Sequence, residues 1–151
     1  MAAIDYTGIG DGLKTILEAD ALTSDARVYI EEEPQFGLSD AEKAIIIYLD
    51  RRIINPTGQP IAAGKRTPYH VYFIIWSLYF TMANYKAACD GRNALLANLE
   101  LVLMKERTIG GKATSSWLEG GQLITARDGG TQTFVSAGET ILVAEVSAIN
   151  A

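Results

Sequence analysis

The sequence predicts an α+β fold: a mostly antiparallel sheet of about four to five strands, two helices packed on one face, and a long projecting hairpin or loop. Three observations lead there. Apolar residues recur at helical spacing in two places, Ile9–Leu17 and Leu95–Leu103. Between and after them stand runs that alternate with period two or are continuously β-branched: Arg27–Glu31, Ala44–Leu49, Tyr69–Thr81, Gly121–Arg127 and Gly138–Asn150. The stretch Arg51–Pro68 holds three of the four prolines and four basic residues without an acid, between two strongly β flanks. The order of helix, three strands, long helix and two strands suits a sheet whose helices cover one face.

In the first helix Ile9, Leu13, Ile16 and Leu17 share a face, while Gly8, Gly10 and Gly12 weaken its beginning. Ala21–Asp25 reads as a turn. In Arg27–Glu31, Val28 and Ile30 face one way and Arg27, Tyr29 and Glu31 the other, the pattern of a half-buried strand. Glu32–Asp40 contains Pro34 and Gly37 and reads as a loop. Ala44–Leu49 looks like a strand buried on both faces. Ser39 and Glu42 have capping-box spacing, so a short helical turn there is the alternative. The second helix is expected to open at Asp90 as N-cap, to bury Leu95, Leu99, Val102 and Leu103, and to end at Gly110-Gly111. Asp128-Gly129-Gly130 reads as a turn between the last two strands.

The 151 residues fit one domain, 1–151, with an arm at about 51–68, and a chain of this size folds without disulfides or metal. A single cysteine, Cys89, leaves no internal disulfide and no cysteine zinc site. A single histidine, His70, leaves no two-histidine zinc motif. The net charge of −5 argues against a surface that grips nucleic acid all over. The N-terminus lacks a basic region followed by an apolar one, so no secretory signal is expected there. The longest apolar run, His70–Ala83, is 14 residues and too short for a spanning helix.

Motifs for chemistry are scarce. Gly8, Gly10 and Gly12 lack a preceding strand and the dinucleotide spacing. Gly64-Lys65 and Gly111-Lys112 lack the other Walker positions. His70 and Cys89 are the groups a small α+β enzyme would use. No carboxylate or nucleophile is nominated beside His70, a Cys–His nucleophile formed by the two is the pairing left open for Cys89, and packing is the competing reading for both. Glu31, Glu32 and Glu33, with Asp40 and Glu42, do not alternate as calcium ligands do, and read as a solvated strand end. Trp76 reads as core, whereas Trp117 is open between packing and an intersubunit contact. No catalytic, cofactor-binding or metal site is therefore expected. The basic segment reads either as a mobile loop or as a docking arm. In the second case Arg51, Arg52, Lys65 and Arg66 meet an acidic partner and Ile53, Ile54 and Ile61 supply apolar contact.

The element order, from the N-terminal helix through Arg27–Glu31, Ala44–Leu49, Tyr69–Thr81 and the Asp90–Lys105 helix to Gly138–Val146, resembles the tail terminator and tail-completion (neck) proteins of tailed bacteriophages. The resemblance implies a structural virion protein, made in the host cytoplasm and free of catalysis, cofactors and membrane contact. It implies a homohexameric ring that caps the tail tube and joins the head. Its partners would be the tail tube protein and a head-completion or connector protein, with DNA passing through unbound. The Arg51–Pro68 arm exceeds the family pattern. Another neck or tail-tube subunit is the near alternative, and an enzyme using Cys89 or His70 the distant one.

Overall fold

The computed structural model describes residues 3–32, 42–128 and 133–149. Two helices, α1 (Tyr6–Ala19) and α2 (Tyr85–Lys105), accompany six strands: β1 (Arg27–Ile30), β2 (Glu42–Ile54), β3 (Arg66–Thr81), β4 (Ser115–Glu119), β5 (Leu123–Asp128) and β6 (Thr133–Ile149). They form one sheet in the order β1-β2-β3-β6-β4, with β5 also paired to β6. Every pairing is antiparallel except β1 with β2, so the expected mostly antiparallel α+β fold is present with one strand more than anticipated.

α1 forms despite its glycines because Asp5 caps it, accepting the Gly8 N–H at 2.9 Å, and because Ile9, Leu13 and Leu17 bury one stripe. α2 begins earlier than expected. Asn84, not Asp90, is the cap, accepting the Ala87 N–H at 2.8 Å. Burial of Ala88 within the first turn draws the helix back past Asp90. The helix ends at Lys105. Gly110 and Gly111 lie in the following turn at positive φ, so the expected helix end there is corrected.

The central strands are long, and their registers sort the side chains. Ile45, Ile47, Val71, Phe73, Ile75, Leu142, Ala144 and Val146 point to one face, where they meet Leu13, Leu17, Leu95, Leu99 and Val102 of the helices. Gly138 lies on this face, where a Cβ would come within 3.0 Å of Leu96, so its bareness admits α2. Ile46, Tyr48, Tyr72, Ile74, Trp76, Leu78 and Ile141 point to the opposite face, which among the described residues no helix covers. Trp76 is therefore half-buried on this open face and not in the helix-side core, as its reading from sequence had it.

The arm differs most from expectation. β2 runs to Ile54, with a register shift between Leu49 and Arg51, and β3 begins at Arg66. Arg51–Ile54 thus pair with Tyr72–Tyr69, and Arg66–Pro68 pair with Ile149–Ser147. Only 55–65 connects the strands, closed by the Asn55 N–H on the Pro68 carbonyl at 2.8 Å. Asn55, Gly58 and Gly64 turn the chain with positive φ.

Candidate assembly surface

The four arm cations sit on two paired strands and their turn. Arg51 ends on the open face with its guanidinium carbon 4.2 Å from the Tyr72 ring centroid, a cation–π contact, and its Nε 3.8 Å from Asp50 Oδ2. Arg52, on the helix side, Lys65 in the turn and Arg66 at the start of β3 are all exposed. Ile53 is half-buried on the open face, Ile54 is exposed on the other, and Ile61 is half-buried within the turn. The cations share one end of the sheet but alternate between its faces, as period two requires. Elsewhere the sequence has 9 basic and 18 acidic residues, so +4 in the arm stands against −9 in the rest.

Trp117 lies across the sheet from the arm, at the opposite edge. β4 was not expected as a strand. It pairs with β6 so that Trp117 opposes Val143 on the open face, in the same row as Arg51 and Tyr72. Its indole meets the His70 ring edge-on, centroids 5.1 Å apart at 85°, yet 37% of the residue remains exposed. It both packs and presents a surface. Ser115-Ser-Trp-Leu-Glu119 sets two apolar residues side by side without period-two alternation, so the sequence carries no signal for this strand.

The groups considered for chemistry are separated. Cys89 Sγ lies 3.3 Å from Thr125 Oγ1, which shares a 2.9 Å hydrogen bond with Ser136. Ser136 pairs with Tyr79, nine residues along β3 from His70, about 30 Å at strand rise. Cys89 and His70 therefore form no dyad. Glu31 turns its carboxylate to the Leu49 N–H, while Glu33 and Asp40 lie outside the described residues. Among the described residues no three acids, histidines or cysteines gather as a metal site. Gly8, Gly10 and Gly12 are within α1, where Gly12 packs on Ile109 and Gly10 on Phe73.

Two clefts flank the sheet edges. One, of about 370 Å³, is lined by Tyr6, Gly10, Ile30, Ile47, Leu49 and Phe73 beside β2. The other, of about 200 Å³, lies under β4 between Leu103, Met104, Arg107 and Leu118. Both are mainly apolar and carry no convergent polar groups of the kind that fix a small ligand.

No protein-family profile matches the sequence, and no curated protein does. Among solved structures, a chain from the virion of a native gene transfer agent particle aligns over 97% of this chain and 100% of its own, at 14% identity and a TM-score of 0.46. A chain from an extracellular contractile injection system, the PVC sheath/tube terminator in its extended state, aligns over 98% of this chain at 11% identity and a TM-score of 0.46. The present chain spans 58% of that protein's length.

Proposed function

We propose that this chain is a structural tail protein of the terminator kind, whose copies close into a ring, most simply a hexamer, capping a phage tail tube. One observation carries the reading. A sheet face bearing Tyr48, Tyr72, Ile74, Trp76 and Leu78, each half-buried around a buried Ile46, has no helix or second sheet over it among the described residues. A sheet with an apolar face is stable when another layer covers it, and a patch of this kind marks an interaction surface. The element order adds to this, as does an arm whose charge opposes that of the remaining chain.

In this reading the partners are further copies of the chain, the tail tube protein below, and a head-completion or connector protein above. The protein performs no catalysis and needs no cofactor. Its net negative charge lets DNA pass through the ring without being held. Its place is the virion, at the neck. A different neck or tail-tube subunit would use the same surface, and the partner that the ring binds separates the two.

Negative-stain electron microscopy and light scattering of the purified protein, alone and with isolated tail tubes, test the proposal. The expected result is rings with a mass that is an integral multiple of 16.3 kDa. A 16.3 kDa species under both conditions and at all concentrations overturns it.

A further inference from the structure

The sheet has open edges on both sides, and the two open stretches lie at one level. β1 pairs with β2 only from Ala44 to Ile47; Glu31 adds one step, through its N–H to the Ile47 carbonyl and its carboxylate to the Leu49 N–H. From Asp50 to Ile54 the outer side of β2 meets no strand among the described residues. At the other end of the order, β4 pairs with β6 on one side and with no described strand on the other. The registers run straight across: Ile53–His70–Glu145–Ser115, then Arg51–Tyr72–Val143–Trp117, then Leu49–Phe73–Leu142–Leu118. β4 thus spans the height of the β2 stretch that β1 leaves bare.

We infer that copies of the chain join edge to edge, β4 of one adding to Asp50–Ile54 of β2 in the next and continuing the line that β1 begins. This rests on the ring reading above and names the contact that makes the ring. Directions alternate along β2-β3-β6-β4, so β4 runs opposite to β2. A copy related by simple rotation therefore offers its β2 antiparallel to β4, the pairing with perpendicular hydrogen bonds. Two different edges meet, so the contact is heterologous: it repeats around an axis and closes into a ring when the rotation closes.

Side chains at the two edges match this pairing. Long open edges are usually blunted by charge, proline or bulges inside the sheet. The β2 edge here has a register shift between Leu49 and Arg51 and the charged Asp50, Arg51 and Arg52. Both edges also carry exposed apolar groups: Leu49 (41%) and Ile54 (50%) at the β2 edge, Trp117 (37%) on β4, and Met104 (48%) under it. Leu118 points to the helix side at the level of Leu49, so in the pair it would face the apolar cleft of the neighbouring copy between Tyr6, Ile30 and Phe73. Trp117 points to the open face at the level of Arg51, whose guanidinium already lies on an aromatic ring. In the pair Arg51 would also share the open face with Glu119 of the adjoining β4, an attraction of opposite charges.

Cysteine pairs test the contact in a Cys89→Ala background. A one-residue slip turns every side chain to the other face, so three double variants on the open face cover the level register and a two-residue slip either way: Ile53→Cys with Ser115→Cys, Ile53→Cys with Trp117→Cys, and Arg51→Cys with Ser115→Cys. Directly opposed strand residues have Cβ atoms about 4.5–5.5 Å apart, close to disulfide range. Mild oxidation should give one of the three a non-reducing ladder of covalent multimers up to the ring size, absent from each single-cysteine variant. Rings by microscopy with no ladder from any pair overturn the edge contact and leave the ring reading standing. A folded protein that stays monomeric with tail tubes present overturns both. Circular dichroism of each variant identifies any that fails to fold, and the remaining pairs then carry the test.

Discussion

At the residue scale, local charge and close packing decide outcomes that composition leaves open. Asp20 follows α1 and reaches Lys105 at the end of α2, with Oδ2 2.7 Å from Nζ, while Oδ1 accepts the Leu22 N–H at 3.0 Å. The Lys105 hydrogen bond, and after it the Leu22 N–H, hold the Asp20 carboxyl below its ordinary value of 3.8. A depressed carboxylate stabilises the fold above its unfolded pKa, and the contribution is lost as pH falls through the folded value. Asp20→Asn should therefore lower Tm at pH 7, and the gap from the parent should narrow as pH drops below about 4; thermal melts across pH read it. Gly91 poses a question of sign. Alanine inside a helix gains about 1 kcal/mol over glycine, but here its Cβ would stand 2.4 Å from the Tyr79 ring. Contact wins, so Gly91→Ala should lower Tm, and in a Tyr79→Ala background the same substitution should raise it.

At the element scale, the buried faces show which features a chain reveals on its own. The helical stripes at Ile9–Leu17 and Leu95–Leu103 follow from side-chain spacing alone and are present in the fold. The run expected to be buried at Ala44–Leu49 is buried only from Ala44 to Ile47, with Tyr48 half-buried and Leu49 exposed where β1 stops beside it. The ends of elements depend on partners. Arg51–Ile54 has no alternation to announce a strand, yet β3 pairs with it because Tyr69–Tyr72 is itself held by β6. β4 is five residues long and finds its place only against β6. Asn84 and Asp90 are both good caps, and burial of Ala88 chooses between them. Candidate site residues were legible as types, basic and apolar, but not as edges, since an edge is defined by the strand that stops short beside it. Two buried hydroxyls give a prediction at this scale. Ser77 Oγ and Thr140 Oγ1 lie on the helix side of β3 and β6 without a hydrogen-bond partner among the described residues. A buried polar group left unpaired costs about 1–3 kcal/mol. Thr140→Val should accordingly raise stability by about 1 kcal/mol, read as a higher denaturant midpoint at unchanged slope.

At the scale of the whole molecule, assembly and folding should be separable. Cys89 is tied to Thr125 and His70 to Trp117, about 30 Å apart along β3. Cys89→Ala and His70→Ala should both leave assembly intact by light scattering, and a turnover lost in either folded variant would reinstate an enzyme. The arm carries the sharper prediction. Arg51, Arg52, Lys65 and Arg66 are exposed and cluster at one end of a molecule whose remaining formal charge is −9. Within one subunit their removal forfeits little, because exposed ion pairs such as Arg51 with Asp50 are worth about 0–1 kcal/mol. In the proposed ring the same four cations would meet the acidic surface of a neighbouring subunit, where charge sets encounter and orientation and is screened over about 10 Å at 0.1 M salt. Reversing all four to glutamate should thus leave the circular dichroism spectrum intact and shift Tm by only a few degrees. The light-scattering mass should fall toward the 16.3 kDa subunit, and the parent ring should weaken as salt rises. Unfolding of the quadruple variant would make the arm a part of the subunit core, and normal rings that join tails normally would remove its role in docking.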